Sequence, residues 1–174
     1  VNLGIYNHML LKNAYEEYYL NLDSNLKFDT ALNIGEENTL AVRVNLYYLI
    51  NNSLSDIQKA KFLNLLWMKA QKAEIKRAIY TITDNMITSL IPKPELNWFT
   101  YSATRALIAN NKIEQAKKWL FFASSDLKSR ATLDINFCKM LIFLYIADPN
   151  LKNIKYEIPD INFLLNILSN SLEI

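Results

Sequence analysis

The sequence predicts an all-α fold, with about seven or eight helices paired as antiparallel hairpins. Three observations carry that expectation. Gly4 and Gly35 are the only glycines, and four prolines are spread over 174 residues. β-hairpin turns and Gly-rich phosphate loops both need more glycine than this. The chain is 51% hydrophobic, enough to bury a sizeable core. Its apolar residues recur mostly at helical spacing, and the stretch from Pro92 to Ala123 reads as one complete helix–turn–helix.

Residues 2–21 form the first expected helix, with Leu3, Tyr6, Leu10, Ala14 and Tyr18 near one face. Residues 23–38 are polar, with Gly35 a turn. Residues 36–51 alternate like a strand from Leu40 to Ile50, yet also show a helical face. A lone strand would leave its backbone groups unpaired, and Glu36-Glu37 suits a helix N-terminus, so helix is favoured. Ser55 or Asp56 caps the next helix, which runs to about Gln71 with Ile57, Ala60, Leu63, Trp67 and Ala70 on one face. A further helix is expected over 74–90, carrying Ile75, Ala78, Ile79, Ile82 and Met86. Whether 55–90 is one helix or two is open. Pro92 and Pro94 end it.

The central hairpin places one helix over 98–109, a turn at Asn110-Asn111 and a second helix over 113–124. Asparagine tolerates the left-handed conformation that closes helices. Asp126 caps a helix over 127–147, and Asp148-Pro149 stops it. After a polar linker, Asp160 caps a last helix with Ile161, Leu164, Leu165, Leu168 and Leu172 on one face. Residues 1–174 are expected to be a single repeat-like domain. A chain that starts at Val1 reads as a trimmed piece of a longer protein.

Formal net charge is +2, which gives no basic footprint for nucleic acid. The longest apolar run, Met140–Ala147, is far short of the roughly 20 residues of a membrane span. One cysteine, Cys138, excludes an internal disulfide. Cytoplasm and periplasm both remain open. His8 and Cys138 have no motif around them, so no nucleophile–base pair is read. Glu16-Glu17 and Glu36-Glu37 are adjacent, and adjacent helical residues do not face each other. No catalytic residue, metal site or cofactor is expected. Lys69, Lys72, Lys76 and Arg77, with Lys112, Lys117 and Lys118, read as a solvated basic face diluted by Glu74 and Glu114.

Ala103, Leu107, the Asn110-Asn111 turn, Ala116, Leu120 and Ala123 follow a pattern of small residues where two helices cross, a turn, and a late Leu then Ala. In this the hairpin resembles a tetratricopeptide repeat. Thr104 stands where Gly or Ala is expected, and no proline closes the repeat near Lys128. Upstream, Ile75, Ala78 and Ile82 precede Ile113, Ala116 and Leu120 by 38 residues, within the range of helical-pair repeats. The resemblance implies a right-handed α-solenoid and a non-enzymatic protein-interaction or scaffold module. Its first helix would present Trp98, Tyr101 and Arg105, with Ala109, to another protein or peptide. Arg105 would meet a partner's carboxylate. A second copy, or missing parts of a longer chain, would cover exposed apolar ends. The alternative is an α-helical small-ligand-binding or enzymatic domain with an aromatic-lined pocket.

Overall fold

The computed structural model describes residues 54–70, 72–151 and 157–172. The expected elements over 2–21 and 36–51, with His8 and the two Glu-Glu pairs, lie outside the described residues. The chain divides into two compact units, Val1–Ile79 and Tyr80–Ile174. Eight α-helices and one 3-10 helix occur among the described residues, and no strand.

In the first unit, α1 (Asp56–Lys69) starts with a reciprocal cap. Ser55 Oγ accepts from the Gln58 N–H (3.3 Å), and Gln58 Oε1 accepts from the Ser55 N–H (3.0 Å). Such a box satisfies two otherwise orphaned donors. Phe62, Leu63, Leu66 and Trp67 are buried, whereas Ile57, expected on the same face, is exposed. Ala70 is extended (φ −84°, ψ 91°), so 55–90 is not one helix.

It is in fact three: after α1 come α2 (Ala73–Ile82), which runs across the boundary, and α3 (Asp84–Ser89), which belongs to the second unit. The expected helix over 74–90 breaks at Thr83, without glycine or proline. Hydroxyls at the break and further along α3 bond back to their own chain. The Thr83 hydroxyl donates to Tyr80 O (3.4 Å), Thr88 to Asp84 O (2.9 Å) and Ser89 to Met86 O (2.7 Å). Side chains of this kind offer the backbone alternatives to helix. The break also turns the face: Ile79 and Met86 are buried while Ile75 and Ile82 are exposed.

In the second unit, Pro94–Phe99 forms the 3-10 helix, with its proline in the first turn, where no N–H is missed. It leads into α4 (Thr100–Ala109), so Trp98, expected to start that helix, lies in the 3-10 helix instead. Asn110-Asn111 closes α4 as expected. Asn111 is left-handed (φ 59°). Lys112 N–H donates to Leu107 O (2.8 Å) and Asn111 N–H to Ile108 O (3.0 Å), the bond pair of a Schellman motif. Asn110 Nδ2 donates to Tyr80 O (2.8 Å) and to Asp84 Oδ1 (3.0 Å), tying the turn to the start of α3.

Helix α5 (Ile113–Phe122) returns along α4. Ala103, Ala106 and Ala116 are fully buried, and Phe99 meets Trp119 edge-on at 5.8 Å. Thr104 is buried as well. Its hydroxyl donates to Thr100 O (2.8 Å), so a polar residue stands where the repeat pattern has Gly or Ala without leaving an orphan.

The expected helix over 127–147 is two, α6 (Leu127–Leu133) and α7 (Ile135–Ala147). Asp134, extended at φ −132°, ends one and caps the other. Helix α8 (Ile161–Leu172) is capped by Asp160, whose Oδ1 accepts from the Asn162 N–H (2.7 Å). Helix α4 packs on α3 and α5, and α7 packs on α4, α5, α6 and α8.

Replacing Asn111 by Val should cost about 1–2 kcal/mol, because a β-branched side chain resists the left-handed region. Asn111→Gly should be neutral or mildly stabilising. Chemical denaturation of the two variants checks the difference.

Candidate functional site: an exposed face on two packed helices

Trp98, Arg105 and Ala109 lie on the solvent side of the 3-10 helix and α4. The Trp98 ring is 50% exposed and rests against Phe99, centroids 5.5 Å apart. The charge of Arg105 reaches Tyr80, whose phenol is pushed up by burial and drawn partly back by that cation.

Tyr101 departs from the expected contact face. It is half-buried and turns toward α7. Its hydroxyl donates to Asp134 Oδ2 at 2.5 Å and accepts from Arg130 Nη2 at 3.4 Å. Its ring meets Phe137 edge-on (6.5 Å), and the Arg130 guanidinium lies 5.9 Å above the same ring. Arg130 also pairs with Asp134 at 3.4 Å. Asp134 Oδ1 accepts from the N–H groups of Asn136 (3.0 Å) and Phe137 (3.4 Å). One carboxylate thus starts α7, holds α4 through Tyr101 and pairs with α6 through Arg130.

Burial pushes the Asp134 carboxyl up. The Tyr101 hydrogen bond, the two backbone donors and the Arg130 charge outweigh it, and the net direction is down. The Tyr101 phenol is raised, by burial first and then by the Asp134 hydrogen bond. Tyr101 therefore positions the face and is only partly on it. The Arg130–Asp134 spacing of four residues was a readable sequence signal. The partner Tyr101 was not.

Helix α7, which packs on α4, has exposed residues of its own. Asn136, Lys139, Phe143 and Ala147 are exposed there. Each stands 38 residues after Trp98, Tyr101, Arg105 and Ala109 respectively, the same interval as between Ile75 and Ile113. No acidic residue occurs from Leu96 to Ile113, nor from Ile135 to Ala147.

Lys117 corrects the sequence expectation. Instead of joining a solvated basic face it is buried, with Nζ 2.8 Å from Glu114 Oε1 and 3.0 Å from Asp148 Oδ2. Burial works against its charge, but the hydrogen bonds to both carboxylates hold its pKa above the usual lysine value. Glu114 lies on α5 itself, and Asp148 directly follows α7. The pair therefore ties α5 to the end of α7.

Cys138 is buried, its thiol donates to Leu164 O (3.3 Å), and burial pushes its pKa up, all features of a packed thiol rather than a nucleophile. Two hollows beside α6, one lined by Asp126, Lys128, Ser129, Thr132 and Leu133, are open to solvent. No group of three metal-ligating side chains occurs among the described residues. No described helix is long and apolar enough to cross a membrane.

The fold is thus all-α among the described residues, with exposed residues on α4 and on α7, which pack together. Compared with family models, curated proteins and solved structures, the chain matches none.

Because the folded pKa of Asp134 is depressed, its contribution to stability is present above the unfolded carboxylate value of about 3.9 and is lost as pH falls through the folded value. Tyr101→Phe should lose about 1–2 kcal/mol near neutral pH. It should also show a shallower loss of stability below about pH 4 than the parent. Denaturant titrations at both pH values check this.

Proposed function

We propose that this protein is a non-enzymatic interaction module of stacked helical hairpins, tetratricopeptide-like in arrangement, that binds another protein or peptide across α4 and α7. The single observation that carries the reading is the exposed face of Trp98, Arg105, Lys139 and Phe143, in which two aromatics and two cations occur with no acid. Exposed aromatic and Arg side chains are the usual anchors of binding surfaces.

The packing order supports the stacked arrangement. Helix α5 pairs with α4, α8 pairs with α7, and α7 lies against both α4 and α5. This is the order expected when one hairpin stacks on the next, and the 38-residue interval between exposed positions agrees with it. The complementary partner is an extended or helical segment with apolar side chains next to a carboxylate. Arg105 would hold that carboxylate, since a guanidinium matches it in two-point geometry.

An enzymatic or small-ligand domain would need aromatics converging on an enclosed cavity. Phe99, Trp119 and Phe137 instead fill the core, the first two against each other.

Selection from a random peptide library on the immobilised chain tests the reading. Enriched peptides should carry Asp, Glu or a free C-terminus beside aromatic or aliphatic residues. Arg105→Glu and Trp98→Ala should each weaken them about tenfold or more, close to 1.4 kcal/mol, with helical circular dichroism unchanged. Peptides that bind both variants as well as the parent, or no enrichment at all, contradict it.

A further inference from the structure

Beside Trp98 stands an acid that the proposed function leaves unused. Glu95 lies in the first turn of the 3-10 helix and is exposed. With about three residues per turn, side chains three apart on a 3-10 helix eclipse. Glu95 is therefore in line with Trp98. From Trp98 to Arg105 is seven residues, nearly two full α-helical turns, which brings Arg105 close to the same line. Exposure agrees: Glu95, Trp98 and Arg105 are exposed, while Leu96, Phe99, Thr104 and Ala106 next to them are buried.

Both charges on this line are unpaired. Among the described residues neither Glu95 nor Arg105 has an ion pair or a side-chain hydrogen bond. Lys93, near Glu95, is half-buried and already has a contact of its own. Asp134 and Arg130, beside Tyr101, pair with each other. Lys112, just past the end of α4, is exposed and adds positive charge at the Arg105 end. The line thus runs from an acid through an aromatic ring to a base. Its complement is a segment of opposite polarity.

The spacing along the line is uneven. Trp98 is about 6 Å along the axis from Glu95 and about 11 Å from Arg105. An extended chain covers about 3.3 Å per residue. Such a chain meets all three side chains with a cation, an apolar residue about two positions on, and a carboxylate about three positions beyond that.

We propose that the segment bound at Trp98 is bipolar: a basic side chain meets Glu95, an apolar one covers Trp98, and a carboxylate meets Arg105. This rests on the peptide-binding reading and adds to it a cation and a fixed polarity. A segment bound the other way round sets like charges against both ends and is rejected.

Titration of the full chain with short peptides, followed by the nuclear magnetic resonance signal of the Trp98 indole N–H, tests the proposal. The probes are capped at both ends: Arg-Ser-Leu-Ser-Ser-Asp, the same peptide with Ser for Arg, and the charge-exchanged Asp-Ser-Leu-Ser-Ser-Arg. The first should bind about threefold tighter than the second, the size of an exposed ion pair, and about tenfold tighter than the third. Added salt should shrink both differences. Glu95→Gln should remove the first difference. Glu95→Arg combined with Arg105→Glu should invert the preference between the first and third peptides, a gain that a misfolded variant cannot show. Equal binding of the first two peptides, with both lost in Arg105→Glu, overturns the bipolar proposal and leaves the peptide-binding reading standing. An uninverted preference in the charge-exchanged protein does the same. A Trp98 signal that no peptide moves overturns both.

Discussion

Helix α7 is the constraint on which the second unit depends. Its thirteen residues carry one charge, Lys139, and bury Phe137, Cys138, Met140, Leu141, Ile142 and Leu144. Burying a side chain of that size contributes about 1.5–3 kcal/mol, so α7 is stable only with neighbours on most sides. Four helices supply them: α4, α5, α6 and α8. The remaining strip, from Asn136 to Ala147, is the only side left to solvent. Solvent-facing residues on α4 and α7 follow from how these neighbours are arranged around one apolar rod.

Two polar junctions set that arrangement at its ends. At the start of α7, Asp134 accepts from two backbone donors and from Tyr101. At its end, Asp148 meets the buried Lys117 amine of α5. Apolar packing is non-directional, and these junctions supply register. A slip of α7 along α4 by one turn would strand Tyr101 and Asp134, and would take Asp148 from the buried Lys117, leaving it only the exposed Glu114. The exposed face therefore inherits its geometry from bonds that are not part of it.

Much of this was legible in the sequence, and the failures have physical causes. The Asn110-Asn111 turn, the Asp160 cap and the paired helices on either side of the turn followed from local rules. Helix breaks at Ala70, Thr83 and Asp134 did not, because no glycine or proline marks them. At Thr83 a hydroxyl bonds backward, and at position 134 an Asp serves two helix ends at once. Trp98 and Arg105 are exposed, one on the 3-10 helix and one on α4. Tyr101 shared their spacing but is drawn aside by residues about thirty positions later, a contact no local pattern encodes. Lys117 looked like one more surface lysine, since its partner Asp148 lies on another helix.

In the proposed function, α4 and α7 together form one binding surface. Amide hydrogen exchange, with and without a library-selected acidic–apolar peptide, tests it most directly. One shared surface gives added protection in Trp98–Ala109 and in Asn136–Ala147 together, with α6 and α8 unchanged. Protection confined to one of the two helices, or centred on the hollows beside α6, would contradict it.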